Sequence, residues 1–272
     1  MQRLRHIPRV AIPAALAILF ATSTGHARDP LTAVESAQPL PNGTKVVSLQ
    51  GMWEERPMQS DLVAGEELWN LPRVAVTVGM GGWSELTLTY DLIRALNEGP
   101  QSLLGGGSPR LSQKFRWTEQ QAWFPALGTR VGFKWPAANE PFEVDSGDFA
   151  LAILASWSVG GWMIDFNTGP AIYGDRFEAG TQNHTWVWNA SLARTWEKVG
   201  LTLKQELLSD SQLASRWYEF WETESGPFER LQLATSLAWN VTPQFRLTAR
   251  YERSLIDTGI RQGVGAGWEF RF

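Results

Sequence analysis

The chain closes on GVGAGWEFRF, Gly263–Phe272. Every second residue is apolar: Val264, Ala266, Trp268, Phe270 and Phe272. Between them stand Gly263, Gly265, Gly267, Glu269 and Arg271. A period of two is the β signature, with one apolar and one polar face. A strand that runs to the last residue leaves an open edge unless something pairs with it. A closed barrel provides that pair, because its last strand lies against its first. The expected partner is KVVSLQGMWEE, 45–55.

The same alternation recurs upstream. Phe245, Leu247, Ala249 and Tyr251 alternate with Arg246, Thr248, Arg250 and Glu252. Leu127, Val131, Phe133 and Trp135 alternate with Gly128, Arg130, Gly132 and Lys134. About twelve such runs are expected as strands. They fall near 44–54, 70–80, 83–94, 109–118, 125–135, 148–159, 161–173, 185–196, 199–208, 228–239, 243–254 and 261–272. Most are about 10–12 residues, the length of a tilted membrane strand. Tight links alternate along the chain with long polar ones, such as 55–68, 136–147, 174–184 and 209–229. An outer-membrane barrel requires this, with short periplasmic turns and long outer loops. The link at 119–124 is somewhat long for its place, and that near 255–260 somewhat short. The expected fold is therefore all-β, a transmembrane antiparallel up-and-down barrel of about twelve strands.

Composition points the same way. Fifteen Trp in 272 residues is a large excess, and Trp favours membrane interfaces. A soluble sandwich of long strands would explain neither this excess nor the alternation of loops. The net charge of −4 argues against a nucleic-acid partner, which calls for a basic face. There is no Cys, so disulfides and thiolate metal sites are excluded. Residues 1–27 read as a signal peptide: Arg3, Arg5 and Arg9, then AIPAALAILFA (11–21), then small Gly25 and Ala27. Past residue 27 no apolar run is long enough for a membrane helix. Residues 28–43 are expected as a periplasmic lead-in and 44–272 as the barrel, in the outer membrane of a Gram-negative cell.

Several stretches resemble one family. They are LPRVAVTVGMGGWSELTLTYDL (71–92), SGDFALAILASWSVGGWMIDFNTGP (146–170), HTWVWNASLARTW (184–196), LATSLAWNVTPQFRLTARYERS (233–254) and the closing strand. The family is the outer-membrane proteins named for the MetA pathway of phenol degradation, often labelled transporters. Gly147-Asp148 ahead of a middle strand fits its pattern, and the region 95–125 departs most. The resemblance implies a barrel of twelve strands or so, uptake of hydrophobic or aromatic compounds, and no defined catalytic residues. Trp268, Phe270 and Phe272 also resemble the C-terminal assembly signal of outer-membrane proteins, which implies the barrel-assembly machinery as a partner beside membrane lipid and lipopolysaccharide.

The polar face carries the candidate site. Arg130, Lys134, Arg194, Lys204, Glu206, Arg246, Arg250, Glu252, Glu269 and Arg271 are expected to line the lumen. They would either pair into a closed, rigid wall or border a narrow passage with mild anion preference. SRWYEFWE (215–222) offers Trp217, Tyr218, Phe220 and Trp221 as a loop pocket or as part of an aromatic girdle. No catalytic residue, metal or cofactor is expected. His184 has no Ser two residues on, and Ser191 shares its strand; a nucleophile needs its base within hydrogen-bond reach. LLGGGSPR (103–110) reads as a flexible outer loop. Glu140, Glu143, Asp145 and Asp148 read as a solvated acidic loop without regular cation-ligand spacing. The expected function is a passive channel or transporter for small molecules, hydrophobic or aromatic ones among them. A closed-lumen structural or surface-interaction barrel is the alternative, and a lipid-acting hydrolase stands third.

Overall fold

Wherever the sequence alternates with period two, the chain forms strand. The computed structural model describes residues 34–56, 66–98, 101–137, 147–174, 182–212, 230–256 and 262–272. Fourteen strands lie within them. They are β1 (Lys45–Arg56), β2 (Glu66–Met80), β3 (Ser84–Asp91), β4 (Arg94–Glu98), β5 (Gln101–Gly105), β6 (Arg110–Thr118) and β7 (Ala126–Lys134). Then follow β8 (Asp148–Val159), β9 (Trp162–Gly174), β10 (Gln182–Trp196), β11 (Leu201–Gln212), β12 (Arg230–Asn240), β13 (Phe245–Ser254) and β14 (Gln262–Arg271).

All pairings are antiparallel between neighbours, and β1 pairs with both β2 and β14. The sheet therefore closes on itself. The closing register runs from Val46↔Arg271 to Glu55↔Gln262, with Trp53 opposite Val264. Phe272 extends it by donating its N–H to the Lys45 carbonyl at 2.9 Å. β3 with β4, and β5 with β6, are two interrupted staves, since β2 pairs with β3 over Arg73–Met80 and with β4 over Glu67–Asn70. Fourteen strands thus make a closed barrel of twelve staves.

The expected spans coincide with these staves, their ends shifted by a few residues. The β4–β5 hairpin was not expected. It falls in LLGGGSPR and the residues before it, so that segment is built into the wall rather than being a flexible loop. The cause is local. Gly107 donates to the Asp91 carbonyl at 2.9 Å, and a Cβ on Gly107 would meet Asp91 Cβ at 2.5 Å. Glycine lets the backbone close over that inward carboxylate. Pro72 produces the second irregularity. It has no N–H for the ladder, and β2 carries an extra residue there, where the register shifts between Gln50 and Met52.

Burial is inverted relative to a soluble protein. On β8, Ile153 is 48% exposed and its neighbour Leu154 is 0% exposed. Leu88, Leu151, Ile164, Leu192, Leu207, Leu237 and Val264 are exposed, while Asp91, Asp165, Asn167, Gln232 and Glu252 are buried. Water would reverse that arrangement; hydrocarbon outside and a polar lumen inside produce it. Aromatics rim the aliphatic band. Trp117, Trp123, Trp162, Trp196, Trp239, Phe270 and Phe272 are exposed near the short-turn end. Tyr90, Trp135, Phe149, Trp188 and Tyr251 are exposed toward the other end. Such belts sit at the headgroup level.

The central band gives a first prediction. Ile153→Arg puts a charge at mid-depth on the outer face and should destabilise the barrel by about 2–4 kcal/mol. Denaturant unfolding of the protein in lipid vesicles measures it. An unchanged midpoint would show that this face does not meet hydrocarbon.

Candidate functional site

The strand phase that exposes leucines outside turns charges inside, and these charges are neutralised along the wall. Near the long-link end Asp91, at the end of β3, forms ion pairs with Arg73 and Arg110; Arg110 Nη1 lies 2.8 Å from its Oδ2. Lys134 and Asp148, opposite each other on β7 and β8, pair at 2.5 Å. Deeper in, Lys114 meets Glu85 at 2.7 Å. On the far flank Arg250 binds Glu206 and, at 3.2 Å, Glu252, while Lys204 lies 3.0 Å from Glu206. Arg250 also donates to Ser236 Oγ at 3.2 Å, so its side chain crosses β12 to reach β11. Arg246 and Glu269 face each other at 3.6 Å. These pairs lie within one stave or join nearby staves, and none of them spans the lumen.

Arg130, Lys134, Lys204, Glu206, Arg246, Arg250, Glu252 and Glu269 share the phase of the buried residues on their strands. Arg194 does not. Thr185, Val187, Asn189, Ser191 and Ala193 are the buried set on β10, and Arg194 has the opposite phase. Its guanidinium lies 4.8 Å from the ring centre of Trp162, a cation–π contact on the outer girdle. Arg271 lies exposed at the rim. Trp217, Tyr218, Phe220 and Trp221 fall outside the described residues, as do Glu140, Glu143 and Asp145. Trp268, Phe270 and Phe272 sit at the short-turn rim, with Trp268 6.4 Å from Phe245 and Phe270 4.8 Å from Phe272 between ring centres.

His184 and Ser191 are seven residues apart on β10. That separates them by about 23 Å along the strand, so they cannot form a base–nucleophile pair. Ser191 instead donates to Asp165 at 3.1 Å, as Ser156 does at 2.7 Å. Among the described residues no three His, Cys, Asp or Glu gather as a metal site.

The lead-in is placed differently from expectation. Its described part, residues 34–41, lies inside the barrel rather than in the periplasm. Val34 is 3% and Ala37 0% exposed. Val34 packs with Leu208 and Ala234 on β11 and β12. Ala37 packs with Ala126, Ala152 and Leu154 on β7 and β8, and donates its N–H to Ser156 Oγ at 2.8 Å. Lys204 Nζ donates to the Val34 carbonyl at 2.9 Å, and Leu40 N–H to Glu85 at 2.7 Å. Glu35 pairs with Arg130 at 2.8 Å and lies 3.9 Å from Lys114. The segment thus touches both flanks of the lumen. A Cβ on Gly79 would collide with the carbonyl oxygens of Leu40 and Pro41, so glycine is what lets the segment pass so close to β2.

Sequence reading missed this segment, and also Arg73, Glu85, Asp91, Arg110 and Lys114. The last five were within reach of the strand phase; the proline bulge at 72 and the break after Asp91 obscured it. The segment itself shows no periodicity.

No family model matches the chain, and no curated protein does, so the resemblance to the family named for phenol degradation is not confirmed. Solved structures do match. The COG4313 outer membrane channel from Pseudomonas putida F1 is 11% identical over 87% of this chain and 98% of that one, with a TM-score of 0.61. The NanC porin is 8% identical over 82% and 98%, with a TM-score of 0.56. The KdgM porin is 6% identical over 84% and 99%, with a TM-score of 0.53. At these identities what is shared is architecture: the fold is that of porin-like outer-membrane barrels.

Proposed function

We propose that the protein is a passive outer-membrane channel for small solutes. The observation that carries this is the inside-out barrel itself, greasy outside and lined with Arg, Lys, Asp and Glu inside. A polar lumen favours solutes that bear charge or hydrogen-bonding groups. Hydrophobic or aromatic cargo, which the family resemblance implied, fits best as small aromatic molecules carrying a polar group. Lipid and lipopolysaccharide would surround the barrel, and Trp268, Phe270 and Phe272 would be read by the assembly machinery after removal of a signal peptide. The reading includes no enzymatic activity.

A second reading has its own support. The wall is ion-paired and the segment 34–41 packs against its inner face, as both would in a closed structural barrel. Planar-bilayer recording separates the two. A channel gives unitary current steps, small and interrupted for the full chain and larger for a variant whose lumen segment is released. Silence from both proteins, each migrating as a folded barrel, would favour the closed reading.

A further inference from the structure

The geometry points to residues 34–41 as an intramolecular plug whose Glu35 carboxylate occupies a binding site, Lys114 with Arg130, that small carboxylate solutes take in its place. This rests on the channel reading and names its cargo class.

Three observations carry it. The first is the shape of the wall under the segment. Inward positions there include Ala126, Ala152, Ala234 and Gly128 beside the larger Leu154 and Leu208, and the small ones leave room inside the barrel. A permanently filled barrel would take larger side chains from the wall itself. Here the filling comes from a separate segment, whose buried apolar side chains, Val34 and Ala37, are small.

The second is charge. Lys114 is 3% and Arg130 2% exposed. Glu85 serves Lys114 from the wall at 2.7 Å. Among the described residues, the carboxylate paired with Arg130 is Glu35, which comes from the segment. When the segment leaves, a guanidinium and an ammonium share one wall carboxylate. A buried cation needs a counter-charge, and a solute carboxylate supplies the same two oxygens.

The third is fit. Arg130 Nη1 comes within 2.8 Å of Glu35 but lacks hydrogen-bond alignment, and among the described residues it has no other hydrogen-bond partner. Guanidinium binds carboxylate best through two parallel N–H donations. A free carboxylate can orient to make them, whereas one tethered to the backbone at Glu35 does not. Competition with a tethered group, whose effective concentration is of millimolar order, makes solute binding weak. A channel needs that, because its cargo must also leave.

The test uses bilayer recording with benzoate as the probe. In Glu35→Gln the segment loses its charge, and open time should rise about tenfold, the scale of one lost charge-assisted contact. Millimolar benzoate should then reduce the chloride current of Glu35→Gln, and adding Arg130→Gln should abolish that block. The protein has no cysteine, so the pair Ala37→Cys and Ser156→Cys gives a clean lock: closed when oxidised, open on reduction. Oxidation that leaves the current unchanged would overturn the plug. Block that survives Arg130→Gln, or fails to occur in Glu35→Gln, would overturn the carboxylate site. If every folded variant is silent, including the reduced cysteine pair, the channel reading itself fails. If all conduct alike, the channel stands and the plug does not.

Discussion

Asp91→Leu is expected to lower the unfolding free energy of the barrel by about 3–5 kcal/mol, the range for removing one partner from a buried ion pair. Asp91 is fully buried and neutralises two guanidinium groups, those of Arg73 and Arg110. Leucine matches its size and leaves both cations without that carboxylate. The site also joins three staves at a weak place. β3 ends at Asp91, β6 starts at Arg110, and β2 resumes its ladder at Arg73 after the proline bulge. The ion triad ties the wall where strand pairing is interrupted. Urea unfolding in detergent or vesicles, followed by tryptophan fluorescence, reads the loss. Asp91→Asn keeps the shape and part of the hydrogen bonding and should cost less than Leu. A loss below about 1 kcal/mol for Leu, the scale of an exposed pair, would show that the triad is solvated.

Arg250→Glu is the second large effect. It would set three carboxylates, at positions 206, 250 and 252, around one point where Arg250 now binds two. Like charges in a low-dielectric site repel strongly, and Lys204, 3.0 Å from Glu206, offsets them only in part. About 3–5 kcal/mol of destabilisation is expected. The reversed pair, Arg250→Glu with Glu206→Arg, should recover a large part of it, because β11 and β13 keep their spacing across β12. A coupling energy of about 0.5–3 kcal/mol from the double-mutant cycle is the expected readout. Where the variant folds, its reversal potential in asymmetric salt should move toward cations. A cycle with no coupling would mean that the two side chains do not meet.

Much of this was legible in the residues. Strand positions followed from alternation because a half-buried strand must repeat every two residues, and a lipid-facing one repeats most plainly. Inward charges such as Lys134 and Arg250 followed from the same phase. Arg194 was grouped with the inward charges, whereas it lies on the outer phase of β10 against Trp162. A girdle arginine can snorkel over Trp162, so charge alone does not assign a face. The β4–β5 hairpin failed because glycine-rich sequence reads as loop unless the close approach to Asp91 is known. Residues 34–41 failed for a deeper reason. They pair with no strand and sit by contacts with β3, β8 and β11, whose sequence positions lie far away, and no local pattern encodes such contacts.

The turn at the short-turn rim gives those residues a particular kind of freedom. Gly43 bonds back to Gly79, Thr44 to Pro41, and Gly81 to the Asn42 side chain. A stopper moored this way does not diffuse off when it slips out; its departure and return are both first-order events. Blockage would then be a duty cycle set by two rate constants and independent of protein concentration. Identical molecules would flicker, rather than sort into open and shut populations.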